Sequence, residues 1–162
     1  MAQKKGELIR WNNEDKLNVK KWMGDDSEET RQLLLDRIDK ENALIEKMNP
    51  DSFEKGPKPD EWSDEDWDDT YAYVYPNDKN HTVHVGPAFE NAETSGSDSK
   101  ADTIIHENSH FSDVAGTEDE PMNPNDPNSP TAYGKDNCAQ LANDNPDSAK
   151  KNADNFTYYI SG

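Results

Sequence analysis

Apolar side chains recur along this chain at intervals that predict helices at both ends and a short hairpin between them. The segments 71–75 and 82–85 are rich in aromatic and β-branched residues and flank a Pro-Asn-Asp-Lys-Asn turn, a pattern typical of a β-hairpin. Other segments carry the helical period, with apolar residues three, four or seven positions apart. The clearest such stripe is formed by Leu34, Ile38, Ile45 and Met48.

Turn-forming and capping residues set the expected helix bounds. Gly116 is expected to end a central helix, and the proline-rich stretch 120–131 predicts a long loop. Asn145 followed by Pro146 is typical of a helix start. The predicted helices span about 14–23, 28–48, 99–114, 133–143 and 145–159.

The composition changes this picture by making the chain strongly acidic. It has 162 residues, of which 35 are Asp or Glu and 17 are Lys or Arg, giving a formal net charge of −18. Only 30% of residues are apolar, yet four Trp and six Tyr can build a small core. We therefore expect one folded domain over residues 1–162, with 1–13 as a flexible N-terminal segment.

Charge and hydropathy also restrict the partners. A negative field repels nucleic acid and anionic membranes, so neither is expected as a partner, and a basic protein or peptide is favoured. No apolar run reaches the roughly 20 residues that a membrane span requires.

The termini and the single cysteine bear on localisation. Met1 to Arg10 contains no apolar segment typical of a signal peptide. Export by a route without a visible signal peptide, or with a leader already removed, is therefore expected, with a cytoplasmic location as the alternative. Cys138 is the only cysteine, so no internal disulfide can form, and a buried structural role is expected.

One segment carries the candidate chemistry: an H-E-x-x-H motif within the predicted helix 99–114. His106 and His110 are four residues apart and so lie on one helical face, where both imidazoles can reach one zinc ion. Glu107, next to the first histidine, can take a proton from water at the metal. The pattern predicts a zinc-dependent hydrolase.

A catalytic zinc needs a third protein ligand and one open position. The extended metzincin motif is excluded, because Asp113 and Gly116 occupy the positions of its glycine and third histidine. Gly116 permits a chain reversal that can bring Asp119 back towards the metal. Glu118 and Glu120 remain competing candidates by chemistry alone.

H-E-x-x-H-F followed by Gly-Thr-x-Asp resembles the aspzincins, the family of deuterolysin and the peptidyl-lysine metalloendopeptidases. The resemblance covers most of residues 20–160. The other segments that carry it are Trp22-Met-Gly-Asp, Tyr73-Val-Tyr-Pro76, Gly86-Pro-Ala-Phe89, Gly96-Ser-Asp-Ser99, Ala132-Tyr133-Gly134, Cys138-Ala-Gln-Leu-Ala142, Asn145-Pro146 and Asn152-Ala-Asp-Asn155.

The resemblance implies an α+β fold: a mostly helical, zincin-like metallopeptidase domain with a small antiparallel β-hairpin or sheet and an H-E-x-x-H helix. It also implies one Zn²⁺ per chain. The implied roles are His106, His110 and Asp119 as zinc ligands, Glu107 as general base, Tyr133 as donor to the oxyanion, and Asp154 in the pocket for a substrate lysine.

The chain departs from the family at two places near these residues. Residues 120–132 intervene between Asp119 and Tyr133, which are close together in the family pattern. Thr157 stands where lysine-specific members have a second acid, so a less strict lysine preference is expected.

We therefore expect a monomeric zinc metalloendopeptidase that prefers lysine or other basic residues just after the cut. One alternative is the same fold acting as a secreted or delivered toxin or effector on a special target. A non-enzymatic alternative is an acidic binding or mimic protein.

Overall fold

The longest helices begin at capping residues that the sequence supplies. The computed structural model describes residues 1–162. Ser27 caps the longest helix through its side chain, and Asn12 forms a capping box with Asp15. The helices are α1 (Ala2–Arg10), α2 (Asn13–Met23), α3 (Glu28–Ile45), α4 (Asp64–Asp68), α5 (Pro87–Asn91), α6 (Lys100–His110), α7 (Lys135–Asp144), α8 (Pro146–Lys151) and α9 (Ala153–Ser161).

The main core lies where the N-terminal and C-terminal helices meet. Trp22 of α2, Leu34 of α3 and Phe156 and Tyr159 of α9 are almost fully buried in one cluster. Each such side chain contributes about 1.5–3 kcal/mol through removal of apolar surface from water. Helix α6 packs extensively on α9, so this core supports the helix that carries the H-E-x-x-H motif.

The N-terminal residues are more ordered than expected from the sequence. Residues 2–10 form α1 in place of a flexible segment, and Leu8 is fully buried in the main core. Arg31 of α3 donates to the carbonyl oxygen of Leu8, at 2.6 Å, which ties α1 to α3. A single buried leucine in a charged segment gave too weak a periodicity to indicate this helix.

The sheet has three short strands, β1 (Phe53–Lys55), β2 (Ala72–Tyr73) and β3 (Val83–Val85), in the order β1-β3-β2. The predicted hairpin is present, since β2 pairs with β3 in antiparallel fashion. Strand β1 adds a parallel pairing to β3 that the sequence analysis did not predict. The fold is α+β, mostly helical, with a small mixed sheet.

The predicted helix 145–159 is interrupted at Asn152. Helix α8 ends there and α9 begins at the next residue, with Asn152 itself extended. The backbone of Asn152 forms an isolated parallel bridge with Glu118, so the break allows a strand-like contact with the segment after α6. None of the helices is long and apolar enough to cross a membrane.

Candidate metal centre and active site

Helix α6 positions the H-E-x-x-H motif. Its first turn is capped by Ser99, whose hydroxyl accepts from the backbone N–H of Asp102. Its end is fixed by Phe111, which is fully buried and follows His110 directly. The helical period therefore places Asp102, His106 and His110 on one face, and that face lines a cavity of about 770 Å³.

The two histidines are oriented through their Nδ1 atoms. His106 Nδ1 donates to Asp154 Oδ1 at 2.7 Å, and His110 Nδ1 donates to the carbonyl oxygen of Thr117 at 2.9 Å. Both partners are acceptors, so the Nδ1 atom of each ring carries a proton. In a neutral ring, Nε2 then carries a free lone pair. These Nε2 atoms face each other at 3.2 Å.

Asp119 completes a group of three donor atoms. Its Oδ1 lies 3.3 Å from His106 Nε2 and 3.7 Å from His110 Nε2. Gly116, with a φ of 57°, and the hydrogen bond from Thr117 N to Ser109 O turn the chain back along α6. Of the three acids that the sequence left open, only Asp119 belongs to this group.

These residues fit a tetrahedral metal ion. Bonds of 2.0–2.1 Å at tetrahedral angles separate two ligand atoms by about 3.3–3.4 Å. The three observed separations of 3.2, 3.3 and 3.7 Å are close to that value. The lone pairs of the two Nε2 atoms point at each other and repel unless a proton or a cation lies between them. Two imidazoles and one carboxylate are also ligand types that zinc prefers.

The electrostatics of the group also favour a cation. Burial lowers the pKa of His106, but the carboxylates of Asp119 and Asp154 outweigh it and raise the pKa to about 10. The same two carboxylates that hold a proton on this ring can stabilise a divalent cation in its place.

Glu107 lies beside this group and is 7% exposed. Burial raises the pKa of its carboxyl, and the two histidines oppose the shift. A glutamate with a raised pKa beside the three donor atoms can both accept and return a proton. It lines the same cavity as the three donor atoms.

Tyr133 reaches the same cavity despite the long insertion before it. Its ring centroid lies 6.4 Å from that of His106, and half of the residue is exposed. Burial raises the pKa of Tyr133, and the charge of Asp119 adds to the shift, so the hydroxyl remains protonated as a donor.

Asn152 joins the two ends of the segment 120–132 and so returns Tyr133 to the site. Its side chain accepts from Glu120 N at 3.0 Å and donates to Ala132 O at 3.0 Å. Ala132 N also donates directly to Glu120 O, at 2.8 Å. The separation between Asp119 and Tyr133 is therefore set at the base of the loop, independently of its length.

Asp154 and Thr157 both line the cavity. Each oxygen of Asp154 already accepts a hydrogen bond, Oδ1 from His106 and Oδ2 from Gly134 N at 2.9 Å. Thr157 is buried, and its hydroxyl donates to the carbonyl oxygen of Ala153. Asp154 therefore orients the ring of His106, in addition to any contact that it makes with substrate.

Sequence reasoning missed two groups at this site. The carbonyl of Thr117 orients His110, but a backbone acceptor leaves no trace in side-chain chemistry. Asp102 lines the cavity one helical turn before His106. Its spacing of four from the first histidine was the signal that could have indicated it. The cavity wall also includes the aromatic residues Trp62, Tyr71 and Tyr73.

Known proteins resemble this chain in sequence and structure. A peptidyl-Lys metalloendopeptidase of Armillaria mellea is 42% identical over 91 residues, which is 56% of this chain and 22% of that protein. An extracellular protease of Aeromonas hydrophila is 42% identical over 89 residues, 55% of this chain and 22% of that protein. The alignments thus span about a fifth of the length of these relatives.

A solved structure extends the similarity to nearly the whole fold. The zinc peptidase from Grifola frondosa superposes with a TM-score of 0.68 at 26% identity, covering 99% of this chain and 88% of that one. The aspzincin family model, described as lysine-specific metallo-endopeptidase, matches residues 9–161. This chain therefore belongs to the aspzincin family.

Proposed function

We propose that residues 1–162 form a single peptidase domain, a zinc-dependent metalloendopeptidase that hydrolyses proteins or peptides with a preference for lysine just after the cut. The observation that carries the proposal is the convergence of His106 Nε2, His110 Nε2 and Asp119 Oδ1 within one group, with Glu107 alongside. The family description and the names of the fungal relatives support the lysine preference.

His106, His110 and Asp119 would hold the metal. When bound, zinc supplies Lewis-acid polarisation of water and of the scissile carbonyl. Asp154 and the carbonyl of Thr117 keep both imidazoles in the tautomer that presents Nε2 to it.

The remaining chemistry belongs to side chains of this protein. Glu107 removes a proton from the attacking water as the new C–O bond forms at the scissile carbon. It then delivers that proton to the leaving amine as the C–N bond breaks, so that Glu107 ends as the carboxylate in which it began. The Tyr133 hydroxyl donates to the oxyanion that develops on the carbonyl oxygen.

The non-enzymatic alternative has less support. An acidic binder or mimic needs surface charge, but it does not need two half-buried imidazoles held in matched tautomers. A role as a toxin or effector would use the same chemistry on a restricted target. We propose a secreted, monomeric protein that acts on a basic protein or peptide. The extracellular relative from Aeromonas hydrophila supports the secretion.

The test combines metal analysis with cleavage of a peptide mixture. We expect about one zinc per chain after dialysis and cuts enriched in lysine on the C-terminal side. Glu107→Gln should keep its zinc while turnover falls by about 10²–10⁴-fold.

The matched pair Asp119→Asn and Glu118→Gln tests the ligand choice, since each removes one carboxylate from neighbouring positions. Loss of zinc is expected only for Asp119→Asn. A zinc-free wild-type protein, or a fully active Glu107→Gln variant, would refute the proposal.

A further inference from the structure

Asn152 is a fully buried polar residue between α8 and α9, and its side-chain oxygen and both amide protons are engaged in hydrogen bonds. Oδ1 accepts from Glu120 N at 3.0 Å, and Nδ2 donates to Ala132 O at 3.0 Å and to Asn155 Oδ1 at 2.8 Å. A backbone N–H only donates and a backbone carbonyl only accepts, so these partners fix the orientation of the amide. Among the short polar side chains, only asparagine supplies one acceptor together with two donors.

The two backbone contacts of Asn152 lie directly beside two functional residues. Glu120 N belongs to the peptide group that follows Asp119, the proposed metal ligand. Ala132 O belongs to the peptide group that precedes Tyr133, the proposed oxyanion donor. One amide side chain therefore joins the backbone next to both residues, although residues 120–132 separate them in sequence.

The residue before Asp119 is held by the backbone around Asn152. Glu118 N donates to Lys151 O and Glu118 O accepts from Ala153 N, both at 2.9 Å, which forms the isolated parallel bridge between Glu118 and Asn152. Asp119 is therefore fixed on one side by the backbone around Asn152 and on the other side by the Asn152 side chain. Contacts around a metal ligand set the direction in which its carboxylate points.

The backbone of Tyr133 is held on both sides by the same part of the chain. Asn152 binds the carbonyl of Ala132, and Asp154 Oδ2 accepts from Gly134 N at 2.9 Å. Half of Tyr133 nevertheless remains exposed and lines the cavity. Its backbone is thus anchored while its side chain stays accessible to a substrate.

We propose that Asn152 is a positioning residue for catalysis, which holds the oxyanion donor Tyr133 in a fixed relation to the metal ligand Asp119. This inference rests on the proposed peptidase function and adds a residue that takes no part in the proton transfers. Asn152 is fully buried, so it acts through the two residues that it positions and not by touching substrate. Its effect on the rate is large because a displacement of about 1 Å in a catalytic group can cost about 10²-fold.

The rate test is a double-mutant cycle between Asn152→Ala and Tyr133→Phe at saturating zinc. Asn152→Ala alone should lower kcat by about 10–100-fold with little change in KM, because the donor is misplaced. In the Tyr133→Phe background, the same substitution should lower kcat by less than about threefold, because the donor is already absent. Equal factors in the two backgrounds would overturn the proposal.

Asn155→Ala is the matched control for lost stability. Asn155 is also fully buried in this network, but its amide donates to the carbonyl oxygens of Trp22 on α2 and Cys138 on α7. Asn155→Ala should lower the melting temperature and still leave a large effect of Tyr133→Phe on kcat. If Asn155→Ala abolished that effect as fully as Asn152→Ala, a general loss of stability would explain both and the proposal would be wrong.

Amide hydrogen exchange of the metal-free protein provides a readout independent of turnover. The Glu120 amide should be protected in the wild type, because it donates to Asn152, and should exchange at least about tenfold faster in Asn152→Ala. The Thr117 amide donates to Ser109 O and should keep its protection in the variant. Unchanged exchange at Glu120 would show that Asn152 does not anchor this segment.

A second variant covers the case in which Asn152→Ala does not fold. Asn152→Asp keeps the shape of the side chain and the acceptor for Glu120 N, but it loses the amide donors to Ala132 O and Asn155 Oδ1. The Glu120 amide should therefore stay protected while the effect of Tyr133→Phe on kcat shrinks. A full Tyr133 effect in this variant would contradict the positioning role.

The two levels of inference fail differently. If the wild-type protein binds zinc and cuts peptides, but Tyr133→Phe has the same effect with and without the Asn152 side chain, the positioning role is refuted and the peptidase function stands. If neither zinc nor cleavage is found, the peptidase function is refuted and the catalytic role of Asn152 with it. The exchange measurement then still decides whether Asn152 anchors Glu120.

Discussion

His106 Nδ1 lies 2.7 Å from Asp154 Oδ1, so a carboxylate from the last helix fixes the ring of a histidine on α6. The partners are 48 residues apart in sequence, and the contact forms because α6 and α9 pack together. The orientation of the metal-binding face of α6 therefore depends on the docking of the C-terminal helix.

Removing this contact should weaken metal binding. Asp154→Asn keeps the shape of the side chain but removes the charge that supports the Nδ1-protonated tautomer. We expect zinc affinity to fall by about 10–100-fold, measured by competition with a chromophoric chelator. Asp136→Asn serves as the control with the same change in net charge. Wild-type zinc affinity in Asp154→Asn would contradict an orienting role.

Zinc binding should release a proton. The pKa of His106 is about 10 without metal, so below that pH the ring carries an extra proton, which must leave before Nε2 can bind zinc. About one proton should be released from this ring per zinc at pH 8, and affinity should fall about tenfold per unit as pH is lowered from 9 to 7. Calorimetry in two buffers of different ionisation enthalpy measures the release. Equal observed enthalpies in both buffers would show that this ring is neutral before binding.

Tyr133→Phe removes only the hydroxyl that is predicted to donate to the oxyanion. Because this hydrogen bond strengthens in the transition state, kcat should fall by about 10²–10³-fold while KM changes little. Tyr71→Phe is a suitable control, since Tyr71 lines the same cavity without a predicted catalytic role. A rise in KM with unchanged kcat would instead indicate that Tyr133 binds substrate.

Glu41 should make stability depend on pH. It is fully buried on α3, accepts a hydrogen bond from Asn108 of α6, and has a pKa raised to about 8 by burial. Between about pH 4.5 and 8 the folded chain therefore binds more protons at this residue than the unfolded chain. Its contribution to the free energy of unfolding is fully present below pH 4.5 and is lost as pH rises through 8.

The matched variant isolates this contribution. Glu41→Gln cannot ionise, so its stability relative to wild type should rise from near zero at pH 5 to the order of 3–4 kcal/mol at pH 8. Urea denaturation of both zinc-loaded proteins at the two pH values measures the difference. Parallel pH profiles would show that Glu41 is already ionised in the fold. Glu41 Oε2 and Asn108 Oδ1 are both buried without a hydrogen-bond partner.

The parts of the fold that the sequence predicted are those encoded locally. Helix α6 and the hairpin of β2 and β3 follow from periodicity and turn residues close in sequence. The parallel pairing of β1 with β3 was not predicted, because a strand of three residues with one large apolar side chain carries no periodic signal. The break at Asn152 was missed for a related reason, since its bridge partner, Glu118, is 34 positions away.

The residues of the candidate site also fall into those that local sequence spacing predicts and those that only the tertiary structure identifies. His106, Glu107 and His110 are indicated by spacing within one helix, whereas the choice of Asp119 over Glu118 and Glu120 required the geometry of the turn after Gly116. The burial of Asp102 Oδ2 without a hydrogen-bond partner is also invisible in the sequence, because it reflects which partners the tertiary fold supplies.

The side chain of Asn152 holds the two ends of the segment 120–132, next to Asp119 and Tyr133, and leaves the middle of the segment unconstrained. Both ends are joined by one side chain and by the bond from Ala132 N to Glu120 O. Residues 123–128 between them are exposed, and their backbone hydrogen bonds are mainly turns within the segment. Because closing a longer loop adds little entropic cost, this stretch can grow or shrink with little effect on the catalytic residues. It is thus a natural attachment point, where a foreign peptide, a fluorophore or an additional recognition element can be grafted beside the substrate cleft.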